Sequence, residues 1–170
     1  RGSREKRVEL AGMLAKAVKE KEPIIQFVFM GDVESAMPEY LHPYCVFLGN
    51  QTDPIKIHKT YCKSHVLIIT SSFEGFPLVV MEAMARGLAI ISTAVGDVPK
   101  HIMPGINGFI IDELSKEKEI ISQGSKYIFQ LYNDMDLLKK ISDSNIEYAY
   151  KTFGLESFNA NYKQLFKELE

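Results

Sequence analysis

The sequence predicts an α/β protein in which a parallel β-sheet is covered by helices on both faces. Short, nearly continuous apolar runs alternate along the chain with longer segments of helical periodicity, and this alternation is typical of parallel sheets. No internal repeat and no linker rich in proline, glycine or serine interrupts the pattern. We therefore expect one domain that spans residues 1–170.

Local signals predict the individual elements in order. The sequence predicts helices over residues 5–22, 34–41, 54–64, 77–87, 99–103, 116–133, 135–151 and 155–168, and the first and last of these show apolar residues at helical spacing. Short apolar runs predict strands over residues 24–30, 46–48, 66–70, 89–93 and 108–111. Pro23 ends the first helix, and Asp53 before Pro54 pairs an N-cap residue with a proline at the first helical position.

The composition argues against several classes of protein. The chain carries 20 basic and 22 acidic residues, a net charge of −2, so no nucleic-acid partner and no bulk attraction to acidic lipid are expected. Its apolar runs fall short of the roughly 20 residues that span a bilayer, and no signal peptide is recognisable. Cys45 and Cys62 do not suggest a disulfide scaffold. A cytoplasmic setting is expected, and the inner face of the membrane stays an option for a longer protein.

One segment carries the residues expected to do chemistry. It runs from the strand over 66–70, through a turn that contains Gly75, into the helix that starts at Pro77. Glycine lets a ligand approach the backbone closely, and the free amides of Leu78 and Val79 form an anion site assisted by the helix dipole. Pro77 donates no hydrogen bond, but its fixed φ suits the first helical position. The segment therefore predicts a phosphate cradle.

Two carboxylates flank this cradle. Glu74 lies at the mouth of the turn, and Glu82 lies one turn inside the helix on the same face as Leu78. Carboxylates beside a phosphate make chemical sense if the ligand also carries hydroxyls, because carboxylates are strong hydrogen-bond acceptors. The pattern thus indicates phosphate in the cradle, a ribose at Glu82 and a transferred sugar at Glu74.

The E-x7-E spacing of Glu74 and Glu82 resembles the signature of retaining, group 1 (family four) glycosyltransferases, which have two Rossmann-like domains in a GT-B architecture. The resemblance continues in the family's order through Gly31-Asp32, Phe47-Leu48-Gly49, Gly87 to Thr93, Val95 to Pro99, Gly105 to Phe109 and the closing aromatic helix. It covers almost the whole chain, and the ordered series is far more specific than the two glutamates alone. The chain resembles the C-terminal, Rossmann-like half of such an enzyme, which binds the sugar donor.

This resemblance implies a role for each residue of the segment. Glu74 would hold hydroxyls of the transferred sugar, and Glu82 would hold the ribose of a UDP- or GDP-linked sugar. The backbone at Gly75, Phe76, Leu78 and Val79 would meet the sugar and the diphosphate, and Pro77 belongs to the same donor site.

The resemblance also assigns three residues outside the segment. Arg1 and Lys6 fall where the family places the arginine and lysine that bind the diphosphate, and the loop around Asn50 would surround the base. Such cations stabilise the charge that grows on the leaving diphosphate. Lys6 and Glu74 are therefore the expected catalytic residues of a retaining hexosyltransferase, and no metal or other cofactor is expected.

A few positions depart from the family's pattern. Asp97 and Lys100 stand where the family usually has a glycine and a glutamate, and Ala89 replaces a proline. Two other functions use related architectures: a sugar-nucleotide epimerase, or a relative of starch or glycogen synthases. A non-catalytic nucleotide-binding module is the alternative of a different class.

The charged start of the chain indicates a fragment of a longer protein, or a tag remnant in the first three residues. In a sheet ordered 3-2-1-4-5-6, the first strand would precede Arg1 and lie between the strands over 24–30 and 66–70. We expect this strand upstream, or else self-association of a chain that lacks it. The other expected partners are an N-terminal domain and an acceptor glycan, lipid or small molecule. The isolated chain is expected to transfer no sugar.

Overall fold

The structure is a computed structural model that describes residues 4–112 and 116–167. Its helices are α1 (Val8–Lys19), α2 (Pro54–Cys62), α3 (Leu78–Met84), α4 (Val98–His101), α5 (Glu117–Asn133), α6 (Met135–Phe153) and α7 (Leu155–Lys167). Its strands are β1 (Val28–Phe29), β2 (Val46–Phe47), β3 (Val66–Ile69), β4 (Ala89–Thr93) and β5 (Gly108–Ile111). Short 3-10 turns occupy Arg4–Lys6, Glu34–Ala36 and Glu39–Tyr44.

All strand pairs of the described residues are parallel, which confirms the predicted fold class. One sheet has the order β3-β4-β5, and a separate small sheet pairs β1 with β2. The register aligns Ile69 with Ser92, at the carboxyl ends of β3 and β4. The loops that follow these two strands therefore emerge side by side.

Successive side chains of the central strand, β4, pack into two hydrophobic cores on opposite faces of the sheet. Ile91 of β4 packs with the buried residues of α1 and α5, such as Leu14 and Ile120. Ile90, its neighbour in the chain, packs instead with α2, α3 and α4, represented by Val80. This alternation is what a strand produces when both faces of its sheet are covered by helices, and it confirms the expected layers.

Several predicted elements are wrong in detail. The helix predicted over 5–22 spans only Val8–Lys19, because Arg7 before it is left-handed and Glu20 ends it ahead of Pro23. The run over 24–30 forms a strand only at Val28–Phe29, because a turn in which Ile25 N–H donates to Glu22 O (3.2 Å) takes up its start. The helix predicted over 34–41 is two 3-10 turns on either side of Pro38, since proline cannot donate the amide that would continue a helix.

The strand expected between β1 and β3 stays a prediction. No backbone hydrogen bond within the described residues joins the run over 24–30 to that over 66–70. Direct pairing of these two runs would have left no place for an intervening strand.

A buried asparagine ties α6 to the amino ends of β4 and β5. The Asn145 side chain is fully buried, and its Nδ2 donates to the carbonyl oxygens of Leu88 (2.7 Å) and Asn107 (2.8 Å). Each of these residues directly precedes a strand. The amide thus fixes the helix against the sheet through two hydrogen bonds that water cannot replace.

We predict that Asn145→Asp lowers the free energy of unfolding by about 3 kcal/mol at pH 7, because a buried carboxylate would face two carbonyl oxygens without a donor. The loss should shrink at lower pH, where the new carboxyl group protonates and regains one donor. Urea unfolding measures both effects, with Asn159→Asp at an exposed position of α7 as the control. Equal small losses for the two variants would contradict the assigned role.

Candidate functional site

A lysine and a glutamate that are far apart in the sequence meet at the carboxyl end of β3. Lys6 Nζ lies 2.9 Å from Glu74 Oε1, with a sequence separation of 68 residues. The same carboxylate oxygen accepts a hydrogen bond from Ser71 Oγ (3.0 Å). The Glu74 side chain is only 18% exposed, against 47% for Lys6. Glu74 is thus held in place, while the ammonium group of Lys6 stays accessible to a ligand.

The segment that carries Lys6 is anchored to the same strand end by several backbone contacts. Ser72 N–H donates to Glu5 O (2.8 Å), and Thr70 Oγ1 donates to the carbonyls of Lys6 and Arg7 (3.2 and 3.1 Å). The Arg7 guanidinium donates in return to the carbonyls of Thr70 and Ser71. The backbone position of Lys6 is therefore fixed by contacts on both sides of it, independently of the conformation of its side chain.

Arg7 has an unusual backbone conformation beside this contact. Its φ is 46°, a left-handed conformation that residues with a side chain adopt rarely and at some cost in free energy. Burial lowers the pKa of its guanidinium, which remains protonated at neutral pH. The hydrogen bonds to two carbonyls explain how the chain retains this conformation.

The loop after β4 clamps the turn at Glu74 and Gly75. Asp97 N–H donates to Gly75 O (2.9 Å). At Gly96, where φ is +50°, a Cβ atom would overlap the carbonyl oxygens of both Glu74 and Gly75. Asp97 itself forms an ion pair with Lys100 (2.7 Å), whose hydrogen bond and charge lower the pKa of the Asp97 carboxyl. A glycine is required at position 96 because the two loops touch there.

The helix that follows the turn begins one residue later than predicted. Pro77 is the N-cap residue of α3, with φ −66° and ψ 125°, so it is not the first helical residue. Extended ψ is preferred by an N-cap residue. Leu78 and Val79 are exposed, whereas Val80 is fully buried. Helix geometry leaves the first amides of α3 without an intrahelical acceptor, at the surface beside Gly75.

Glu82 is held by a tyrosine from a different helix. The Tyr61 hydroxyl donates to Glu82 Oε2 (2.9 Å), and the Arg86 guanidinium lies 4.9 Å from the centre of the Tyr61 ring. Arg86 also donates to the Glu82 carbonyl oxygen (2.7 Å). Burial, together with the hydrogen bond and negative charge of Glu82, raises the pKa of Tyr61 to about 12, and the charge of Arg86 opposes this rise.

The Phe76 side chain anchors the turn from the opposite side. Its ring centre lies 4.4 Å from that of His101 and 5.5 Å from that of Phe153. His101 Nδ1 in turn lies 2.9 Å from the Tyr148 hydroxyl. The predicted contribution of Phe76 is its backbone, and the structure shows an aromatic cluster that fixes this backbone to α4 and α6.

The structure brings together some of the predicted site residues and not others. Lys6 and Glu74 are in contact, and Gly75 to Val79 adjoin them in the chain. Asn50 lies in the loop after β2, a strand of the small sheet. No hydrogen bond within the described residues links Asn50 to Lys6 or Glu74. Arg1 lies outside the described residues.

Four residues contact the predicted site but were not assigned to it from the sequence. Ser71 and Gly96 act on Glu74, Tyr61 acts on Glu82, and Arg7 acts on the strand end. Ser71 and Arg7 neighbour predicted residues in the chain, so their positions offered a signal. Tyr61 offered none, because its contact with Glu82 depends on how α2 packs against α3.

Two further features are absent from the part of the chain that the structure describes. No group of three or more His, Cys, Asp or Glu side chains is arranged there to hold a metal ion. None of the described helices is both long enough and apolar enough to cross a bilayer.

Comparison with known proteins identifies the family. The sequence matches the family described as Glycosyl transferases group 1 over residues 2–127. N-acetyl-alpha-D-glucosaminyl L-malate synthase of Bacillus anthracis is 27% identical over 124 residues, which cover 73% of this chain and 30% of the synthase. Because the family match spans well over half of the chain, the chain belongs to the group 1 glycosyltransferases.

Solved structures show the same fold. The C-terminal domain of a glycosyl transferase group 1 family protein from Francisella tularensis has a TM-score of 0.75 and 22% identity, over 90% of this chain and 82% of that one. The pneumococcal O-GlcNAc transferase, solved with UDP and GlcNAc, has a TM-score of 0.83 and 23% identity, over 100% of this chain and 35% of that one. The fold is thus that of the C-terminal domain of GT-B glycosyltransferases, and the chain spans about a third of the whole proteins.

We predict that Gly96→Ala destabilises the protein by about 1–3 kcal/mol more than Gly105→Ala. Both glycines have positive φ, +50° and +76°, but a Cβ at Gly105 would meet no atom within 4 Å. The control therefore carries the backbone strain without the collision with Glu74 and Gly75. Thermal or urea unfolding of the two variants measures the difference, and equal losses would show that the loops do not touch as described.

We also predict that Tyr61 contributes stability that depends on pH. Because folding raises its pKa from about 10 to about 12, this stability is fully present below about pH 10 and is lost as the pH rises through about 12. The difference in free energy of unfolding between the wild type and Tyr61→Phe should follow this course. A difference that stays constant across the alkaline range would contradict it.

Proposed function

We propose that this domain binds a nucleoside-diphosphate sugar in the cleft beside Glu74 to Val79, and that the whole protein is a retaining glycosyltransferase that transfers a hexose. The observation that carries the proposal is the contact of Lys6 with Glu74. These are the two residues expected to act on the donor, and they meet at 2.9 Å from positions 68 residues apart. The UDP bound to the pneumococcal relative supports a nucleotide ligand.

The diphosphate would lie between the Lys6 ammonium group and the first amides of α3. Lys6 is about half exposed and supplies a positive charge that its ion pair with Glu74 offsets in part. The amides supply hydrogen-bond donors that need no counter-charge. We assign Arg1 to the same diphosphate and the loop around Asn50 to the base. Diphosphate binding would thus draw on a cation and on backbone that the structure holds at one strand end.

The sugar and the ribose would each be met by one carboxylate. Glu74 Oε1 is occupied by Lys6 and Ser71, and no side chain within the described residues bonds Oε2, which can accept from a sugar hydroxyl. Glu82, farther along α3, would accept from the ribose. Charge-assisted hydrogen bonds of this kind are roughly twice as strong as neutral ones.

In the reaction, this domain would assist the departure of the diphosphate leaving group. The bond between the anomeric carbon and the diphosphate oxygen breaks, and negative charge grows on that oxygen. Lys6 would stabilise this charge without any requirement for a metal ion. Its effect should strengthen when the cleft closes and water leaves, because ionic interactions are screened less in a dry site.

The acceptor would bind mainly to a second domain. The chain spans 30% of the Bacillus synthase and 35% of the pneumococcal transferase, so most of each whole protein has no counterpart here. We propose that an N-terminal domain completes the cleft and that the isolated chain transfers no sugar to a glycan, lipid or small-molecule acceptor.

We predict that the two glutamates divide the ligand between them. Glu82→Ala should weaken binding of a free nucleotide and of its hexose derivative alike, by about tenfold, which corresponds to one hydrogen bond to a charged group. Glu74→Ala should not weaken binding of the free nucleotide, because it removes a negative charge beside Lys6, and it should weaken only binding of the sugar nucleotide. Calorimetric titration with UDP, GDP and the corresponding hexose nucleotides measures these affinities.

The matched control is Glu156→Ala, which removes an exposed carboxylate from α7 and should change no affinity. Equal losses for both ligands in both site variants would contradict the division of roles. Absence of nucleotide binding by the wild-type chain would contradict the donor site itself.

A further inference from the structure

The carboxylate of Glu82 is oriented before any ligand arrives. Its Oε2 accepts from the Tyr61 hydroxyl at 2.9 Å, and among the described residues no other side chain bonds this carboxylate. The Glu82 residue is exposed. A glutamate at an exposed helical position ordinarily samples several rotamers, and fixing it costs conformational entropy on binding. Here one hydrogen bond restricts that freedom in advance.

Tyr61 is able to do this because it is itself fixed. Only 7% of the residue is exposed, and its ring belongs to the core that also contains Val80 and Ala83 of α3. The outer face of the ring is covered by the Arg86 guanidinium at 4.9 Å. A rotation of the ring would disturb that packing, so the hydroxyl has a defined position relative to the helix that bears Glu82.

The rest of the cluster does not compete for the carboxylate. Arg86 uses its Nη1 on the Glu82 carbonyl oxygen (2.7 Å), not on the side chain. Its Nε faces His58 Nδ1 at 3.4 Å. One oxygen of the Glu82 carboxylate therefore points to Tyr61, and the other is left to a ligand.

We infer that Tyr61 is a positioning residue for nucleotide recognition: its hydroxyl holds one carboxylate oxygen of Glu82 and thereby presents the other to a ribose hydroxyl. This inference rests on the proposed donor site. Tyr61 touches no ligand in this account, and its effect on binding passes entirely through Glu82. It therefore governs how strongly the site distinguishes a ribose from a sugar that lacks those hydroxyls.

The test first selects whichever of UDP and GDP binds more tightly. It then compares the affinity of this ribonucleotide with that of its 2′,3′-dideoxy analogue. The wild-type chain should bind the ribonucleotide about tenfold more tightly than the analogue. Tyr61→Phe should lose about fivefold in affinity for the ribonucleotide and nothing for the analogue, so that the preference nearly disappears. Tyr44→Phe is the matched control, because its hydroxyl contacts another carboxylate, that of Glu20 (3.4 Å), away from α3.

The outcomes distinguish a failure of the role inferred for Tyr61 from a failure of the proposed donor site. Equal losses for both nucleotides in Tyr61→Phe would assign Tyr61 a merely structural role and overturn the inference, as would an unchanged preference. The proposed donor site fails separately if the wild type shows no preference and Glu82→Ala binds both nucleotides as the wild type does. A cooperative urea transition of Tyr61→Phe verifies that the variant folds.

Discussion

The parallel pairing of β3 with β4 is the constraint on which the candidate site depends. It places the carboxyl ends of the two strands side by side, so that the loops after them must share one small region. The buried Thr93 hydroxyl at the end of β4 donates to the Ser71 carbonyl at 2.6 Å, and Gly96 lies against the backbone of Glu74 and Gly75. The segment around Lys6 closes the same region from a third direction. Contacts to the backbone of these loops thus assemble the site, and its charged side chains project from the frame that they form.

Three charged side chains expected to meet the ligand, Lys6, Glu74 and Glu82, each have a partner in its absence. Lys6 contacts Glu74, Glu74 also accepts from Ser71, and Glu82 accepts from Tyr61. These contacts limit the number of rotamers that binding has to freeze. They also leave the exposed ammonium group and one oxygen of each carboxylate for the ligand. The side chains of the site are therefore oriented before the ligand binds, and the site remains open to it.

The sequence predicted those parts of the fold and the site that depend on local signals. The limits of β4 and β5 were right to the residue, because each is an apolar run bounded by turns, and the E-x7-E segment led to Glu74 and Glu82. The strand over 24–30 was overestimated, since an apolar run does not reveal that its start forms a turn. Contacts such as that of Tyr61 with Glu82 arise from the packing of α2 on α3, for which the sequence carries no spacing rule. Prediction was thus most successful within single elements and weakest between them.

The central claim is that the donor binds where the ends of β3 and β4 meet, and amide chemical shifts of the labelled chain test it most directly. On titration with UDP or GDP, the largest amide shift changes should occur at Lys6, Ser71, Gly75, Phe76, Leu78, Val79 and Glu82. Smaller changes should follow at Tyr61 and Gly96, which touch these residues. Changes centred instead on the groove between α1 and α5, lined by Lys21, Lys118 and Lys126, would contradict the account.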